Sequence, residues 1–132
     1  MLILSPPGGA DARRVNTARD LLPAYDRNNV FARILRGEAP CTKVYEDEFV
    51  LAFNDIHPKA PVHILVVPKG EYVSIVDFSE NARPEMIARF WRAVVKIAEE
   101  RGVGGGFRIV SNHGPNSGQE VFHFHVHVTG RP

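Results

Sequence analysis

Toward its C-terminus the chain reads Phe122-His123-Phe124-His125-Val126-His127-Val128, a strict alternation of apolar and histidine side chains. An extended strand, whose side chains point to opposite faces with a period of two, sorts this pattern into an apolar face and a histidine face, which a helix cannot do. The alternation predicts a strand over Val121–Thr129, with Phe122, Phe124, Val126 and Val128 in a core and His123, His125 and His127 on the other side. A lone histidine on a strand is commonly a satisfied core or surface residue. Three of the chain's 6 histidines on one face of one strand have no packing rationale and point to chemistry.

Two chemistries fit that face. Histidines at i and i+2 can share a zinc ion at about 2.0–2.1 Å. The outer pair, however, stand roughly 13 Å apart at Cα, so all three converge poorly on one ion. Alternatively, a central neutral imidazole attacks phosphorus while its neighbours bind the phosphoryl oxygens and move protons. The preceding segment Ser111-Asn112-His113-Gly114-Pro115-Asn116-Ser117-Gly118-Gln119 favours phosphate, because small residues let backbone amides approach an anion.

Elsewhere the pattern predicts a short helix Val30–Arg36, capped by Asn28 or Asn29 and stopped by Gly37. Lys43–Tyr45 and Phe49–Phe53 read as a hairpin, and Val62–Val67 as a third strand bounded by prolines. A loop carrying Asp77, Ser79 and Asn81 leads to the helix Pro84–Arg101, with Ile87, Phe90, Val94 and Ile97 on one stripe and Arg89, Arg92 and Lys96 facing away. Phe107–Ser111 and the histidine strand complete the list. This order implies an α+β domain, a mostly antiparallel five-stranded sheet with one long helix and a short N-terminal helix. At 132 residues there is room for one domain. Residues 1–28, with Pro6-Pro7-Gly8-Gly9 and no clear period, read as a loosely structured extension, and 29–132 as the folded unit.

A net charge of +1 gives no electrostatic case for nucleic acid or an anionic membrane as main partner. No apolar run is long enough to span a bilayer. The single cysteine, Cys41, excludes an intrachain disulfide and suggests a reducing, cytoplasmic setting. Sheet edges and the apolar helix make a homodimer plausible.

The segment from Gln119 to Thr129 resembles the histidine triad motif, His-φ-His-φ-His-φ-φ with φ apolar, Thr129 departing mildly at the last position. The similarity continues through Val30–Pro40 and through Ala52–Lys69, in collinear order over about residues 29–131. Together these segments resemble the Hint branch of the histidine triad (HIT) family, purine nucleoside phosphoramidases and nucleotide-binding hydrolases.

The resemblance implies that His125 is the nucleophile, that His127 and His63 bind the phosphate or orient the catalytic groups, and that His123 helps place the leaving group or phosphate. It implies a carbonyl near His123 that holds one ring hydrogen of His125. Asp55 would accept the ribose hydroxyls, as suits an acceptor-only carboxylate. Val30, Phe31, Ile34, Phe53 and Ile56 would form a purine slot, with Asn112, Gly118 and Gln119 on the phosphate side. From the residues alone Phe31, Ile34, Phe53 and Ile56 are core, Asp55 a turn residue and His63 a satisfied strand histidine. His57 and His113 read as surface residues. The expected partner is a purine nucleotide such as AMP or GMP, with no cofactor. Val30-Phe31-Ala32-Arg33 stands where zinc-bearing relatives have Cys-x-x-Cys, so no metal is expected. Glu120 replaces a serine of some members, and the chain ends at Pro132 without their longer tail. The expected activity is hydrolysis of nucleoside 5′-phosphoramidates or related nucleotidyl conjugates through a nucleotidyl-histidine. The alternatives are a dinucleoside polyphosphate hydrolase, a nucleotide-binding regulator with little turnover, and a zinc protein using the histidine strand.

Overall fold

A computed structural model describes residues 22–132. Most of the expected extension, residues 1–21, therefore lies outside the described residues. The helix α1 (Val30–Leu35) starts where the Asn29 side chain accepts the Ala32 amide at 2.9 Å. It stops at Gly37, whose φ of +77° suits a residue without Cβ. The strands β1 (Lys43–Glu46), β2 (Val50–Asn54) and β3 (Val62–Pro68) follow, then the helices α2 (Ile75–Asn81) and α3 (Pro84–Glu100), and finally β4 (Phe107–Val110) and β5 (Val126–Gly130). The strands form one antiparallel sheet in the order β1-β2-β3-β5-β4. The fold is the expected α+β architecture. No helix among the described residues is long and apolar enough to cross a membrane.

The period of two in the central strands builds two separate apolar layers. Val50 and Ala52 of β2, Ile64 and Val66 of β3, and Val126 and Val128 of β5 face α3. There they meet Phe90, Ala93, Val94, Ile97 and Ala98, spaced as one face of an amphipathic helix. Ile87, expected in this stripe, packs at its margin. The intervening residues Leu51, Phe53, Leu65 and Val67 face the other way, against Phe31, Ile34 and Leu35 of α1. The register Phe53↔Leu65↔His127↔Val110 crosses four strands and carries a triad histidine on this second face.

Two expectations need correction. The segment read as a loop with Asp77, Ser79 and Asn81 contains α2. Ser74 caps it, accepting the Val76 amide at 3.2 Å, and Asp77 reaches back to the Val73 amide at 2.7 Å. Its one fully buried side chain, Phe78, stacks on Phe124 at 4.6 Å and meets Phe90 and Tyr72 at 5.2 Å each. The histidine strand is also shorter than expected, since β5 begins at Val126 rather than Val121. The cause lies across the ladder. Odd-numbered residues of β3 bond toward β2, as the Lys69 amide does to the Phe49 carbonyl at 2.8 Å, so Pro68 faces β5. Proline has no amide to give the Phe124 carbonyl, so the next rung cannot close. The Pro68 carbonyl, the other half of that rung, lies 3.0 Å from His123 Nε2, and the Phe124 amide goes to the Tyr72 carbonyl at 2.6 Å. Phe122, expected in the core, belongs to neither apolar layer, whereas Phe124 is 1% exposed.

Replacing Phe78 with alanine removes the contact that joins α2 to the ring cluster under the triad. The variant should lose about 3–5 kcal/mol of stability, the usual cost of a large-to-small change in a tight core. Urea unfolding measures this, and a loss below 1 kcal/mol would show that α2 is only loosely docked.

Candidate active site

The three histidines share the face toward α1, with the Phe31 ring 6.3 Å from that of His123 and 4.9 Å from that of His125, and His125 5.2 Å from His127, although only His127 lies on a regular strand. His123 is fully buried, 0% exposed. Its Nε2 is 3.0 Å from the Pro68 carbonyl and its Nδ1 is 2.6 Å from the Tyr25 hydroxyl. A carbonyl only accepts, so Nε2 carries the hydrogen, and the tyrosine hydroxyl donates to Nδ1. Both ring nitrogens are therefore engaged, and burial pushes this ring down to about 4, keeping it neutral. The expected part of His123 in holding phosphate or leaving group does not suit this geometry. Its ring is a packed element behind the site.

The backbone of His123 is what reaches the site. Its carbonyl accepts from His125 Nδ1 at 2.7 Å, which fixes the hydrogen on Nδ1 and leaves the Nε2 lone pair available. The His125 carbonyl is held in turn by the Ser111 hydroxyl at 2.9 Å, and the Phe31 ring stands edge-on to the imidazole at 4.9 Å. Burial pushes the His125 pKa below the ordinary histidine value, so the ring is neutral at neutral pH.

His127 belongs to a second group. His63, buried on β3, accepts the Lys59 amide on Nδ1 at 3.0 Å. An amide only donates, so the neutral His63 ring carries its hydrogen on Nε2. That nitrogen lies 3.0 Å from His127 Nδ1 and 3.3 Å from Asp55 Oδ2. When the hydrogen is shared with His127, the second nitrogen of His127 must be protonated and can act as a donor. Burial first, then the neighbouring rings of His125 and His63, hold His127 down to about 4. The other Asp55 oxygen accepts the His57 amide at 2.8 Å, which sets the carboxylate at the turn after β2.

Asp55, His63 and His127 place three ligand-type atoms within 4.8 Å of one another. The donor set nevertheless does not suit a resident cation. The His63 nitrogen that faces the others bears a hydrogen, and metal binding would require breaking the Lys59 bond to move it.

A cleft of about 560 Å³ opens beside these groups. Val30, Phe31, Ile34, Phe53, Asp55, Ile56, Asn112 and Gly118 line it together with His125 and His127, which brings the expected slot and phosphate residues into one place. Ile56 stands at its rim, 83% exposed, and Phe53 is at its buried end. An adjoining, wider cleft of about 840 Å³ shares Asp55, Lys59, Asn112, Glu120 and His127, includes His63, and extends to Arg108 and Arg131.

The loop before the triad behaves differently from its composition. The amides of Gly114, Ser117, Gly118 and Gln119 are all spent inside it, on the Gln119 side chain or on the Gly114 and Pro115 carbonyls. They do not form an anion cradle. Gln119, expected on the phosphate side, is buried, and its side-chain nitrogen donates to the Val73 and Val121 carbonyls at 2.7 and 3.1 Å. Gly114 and Gly118, with φ of +79° and +88°, are needed for the tight path. His113 bonds to Ser74 Oγ at 2.9 Å rather than standing free at the surface. Sequence reasoning missed Tyr25, the Lys59 amide and Ser111. Of these, only Ser111, one step beyond β4 on the strand flanking β5, had a positional signal.

Three comparisons bear on this site. A 13.2 kDa HIT-like protein of Azospirillum brasilense is 58% identical over 107 residues, 79% of this chain and 86% of that protein. The adenylylsulfatase HINT1 of Arabidopsis thaliana is 37% identical over 127 residues, covering 96% of this chain and 86% of that one. The crystal structure of a HIT family hydrolase from Legionella pneumophila superposes with a TM-score of 0.74 at 39% identity, covering 80% of this chain and 94% of that one. The HIT domain pattern itself matches residues 36–132, and the chain is a member of the HIT domain family.

Proposed function

We propose that this protein hydrolyses nucleoside 5′-phosphoramidates or related nucleotidyl conjugates to the nucleoside monophosphate, through a covalent nucleotidyl-His125. One observation carries the reading: a buried, neutral imidazole whose Nδ1–H is tied to the His123 carbonyl at 2.7 Å while its Nε2 is left for attack. The apolar walls of Phe31, Ile34 and Phe53 suit a purine. Asp55, with Oδ1 turned to the His57 amide, suits a ribose diol.

In the first step His125 Nε2 bonds to phosphorus and the bond from phosphorus to the leaving nitrogen breaks. That nitrogen takes a proton as it departs. His127 is the group placed to deliver it. It is neutral in the free protein; the negative charge of a bound phosphoryl group raises its proton affinity, and the His63 Nε2 hydrogen then turns from His127 Nδ1 to Asp55 Oδ2, 3.3 Å away. In the second step water attacks phosphorus, gives a proton back to His127, and His125 is released. Splitting the reaction gives two easier displacements. Residues 29–132 would supply this chemistry.

A second reading concerns the leaving group. Lys59, Arg108 and Arg131 on the wider cleft favour one that is anionic, such as sulfate or the remainder of a dinucleoside polyphosphate. Such a group needs less help from a proton donor.

The deciding experiment compares turnover of adenosine phosphoramidate, adenylyl sulfate and diadenosine polyphosphates in excess chelator. Phosphoramidate should be turned over fastest, with activity retained. Quenched reactions should carry the nucleotide label on His125, and His125→Ala should lose several orders of magnitude in kcat while still binding AMP. Label on another residue, or loss of turnover with chelator, overturns the mechanism.

The acid limb of kcat/KM should fall below pH 6.5, the ordinary histidine value from which His125 is lowered. A protonated His125 has no lone pair, so the rate drops only as the pH descends through that lowered pKa. A limb at or above 6.5 would show that the nucleophile is not desolvated.

A homodimer is part of the proposal. β4 is an edge strand, no strand among the described residues pairs its outer side, and Ile109 on it is 43% exposed. Sedimentation at micromolar concentration should give twice the mass of the chain, and a monomer would remove this element.

A further inference from the structure

Tyr25 lies in the segment that sequence alone assigns to a loose extension, yet its hydroxyl is 2.6 Å from His123 Nδ1 across 98 positions of chain. Its ring stands 5.6 Å from the imidazole at a tilt of 60°. The segment is anchored beyond this one contact. Arg27 pairs with Glu71 at 2.9 Å, and its carbonyl accepts from Arg36 at 2.8 Å.

The tautomer of His123 gives the tyrosine its role. Pro68 cannot donate, so the ring hydrogen sits on Nε2 and the buried Nδ1 needs a donor. Tyr25 is the donor that the structure provides. Without it, Nδ1 is an orphaned acceptor in a fully buried ring, and an unsatisfied buried polar atom is costly enough to move the group that bears it. The ring can then turn, take in water, or shift its hydrogen to Nδ1 and surrender the Pro68 carbonyl. Each of these loosens the hold of the His123 ring on its own main chain. The peptide unit that follows holds the site together: its N–H goes to the Tyr72 carbonyl at 2.6 Å and its C=O accepts from His125 Nδ1 at 2.7 Å.

We propose that Tyr25 is a positioning residue: by donating to His123 it holds the 123–124 peptide whose carbonyl fixes the tautomer and aim of His125. This rests on the nucleophilic role given to His125 above. Tyr25 is not among the residues lining the nucleotide cleft, and it acts through His123 alone.

The test is Tyr25→Phe in the full chain, which keeps the ring and removes the donor. Turnover of adenosine phosphoramidate should fall 10- to 100-fold in kcat, with KM and AMP affinity within twofold of the parent. Histidine-ring nitrogen NMR of the free protein should show a population of His125 that has lost its Nδ1–H form. Arg27→Ala, which loosens the same segment without touching His123, should change neither. Tyr25→Ala provides an independent measurement: 4-methylphenol should restore kcat, and toluene should not. Parental kcat with an unchanged His125 tautomer in Tyr25→Phe overturns the proposal, as does equal rescue by toluene, which would make the contact one of packing. The NMR readout needs no substrate. If the parent protein does not turn over any nucleotidyl conjugate, the hydrolase reading fails, while the tautomer shift still decides the role of Tyr25.

Discussion

The site depends on one peptide unit, the link between His123 and Phe124. Its two polar atoms are spent on opposite tasks, the N–H on the Tyr72 carbonyl and the C=O on the His125 imidazole. Its two flanking side chains are pinned in opposite directions as well. Phe124 enters the ring cluster with Phe78 and Phe90, and His123 is held between Tyr25 and Pro68. A carbonyl held this firmly imposes one tautomer on the neighbouring imidazole without a buried carboxylate behind it. The orientation of His125 is thus set by core packing and main-chain hydrogen bonding, an arrangement fixed before any ligand arrives.

The rest of the architecture serves this arrangement by separating stability from chemistry. The layer between the sheet and α3 is the larger apolar cluster, built on Val50, Ala52, Ile64, Val66, Val126 and Val128 against the helix. The opposite layer is smaller and leaves room for the cleft, His63 and His127. Both layers are written into the same strands by alternation, which is why β2 and β3 are buried on both sides. Two of the site's imidazoles are oriented by main-chain groups, His125 by a carbonyl and His63 by an amide. The result is one ring offering a lone pair and another offering a hydrogen, a division of labour that follows from donor–acceptor bookkeeping alone.

Much of this was legible in the sequence. Strand and helix positions follow from periodicity, and the Asn29 cap, the Gly37 stop and the Pro84 start occupy the places their chemistry requires. The family segments brought Asp55, His63 and the cleft residues together as expected. The failures have physical reasons. α2 was hidden because Asp77, Ser79 and Asn81 are turn formers in isolation, and Phe78 holds the helix by a tertiary contact that composition does not reveal. The early end of β5 was invisible in its own alternation, because the missing amide belongs to Pro68 on another strand. The anion-binding reading of residues 111–119 overlooked that a glycine-rich turn can consume its own amides. Tyr25 carried no local signal at all, since its partner lies at the far end of the chain.

Pro68 has a consequence for how this sequence can vary. In an ordinary strand, length and side-chain aim are coupled, because adding a rung commits the next residues to the pleat. A residue with an amide at 68 could donate to the Phe124 carbonyl and let β5 lengthen backward through Phe124. The change would read as conservative by every measure of the fold: the strand would be longer, the sheet better bonded, and the core intact. Yet that rung would take the Phe124 amide from the Tyr72 carbonyl and the residue-68 carbonyl from His123 Nε2, the bonds that hold the peptide whose carbonyl meets His125. Pro68 is not among the residues that line the cleft. It is therefore a place where selection for stability and selection for chemistry pull in opposite directions, and where a better sheet would be a worse catalyst.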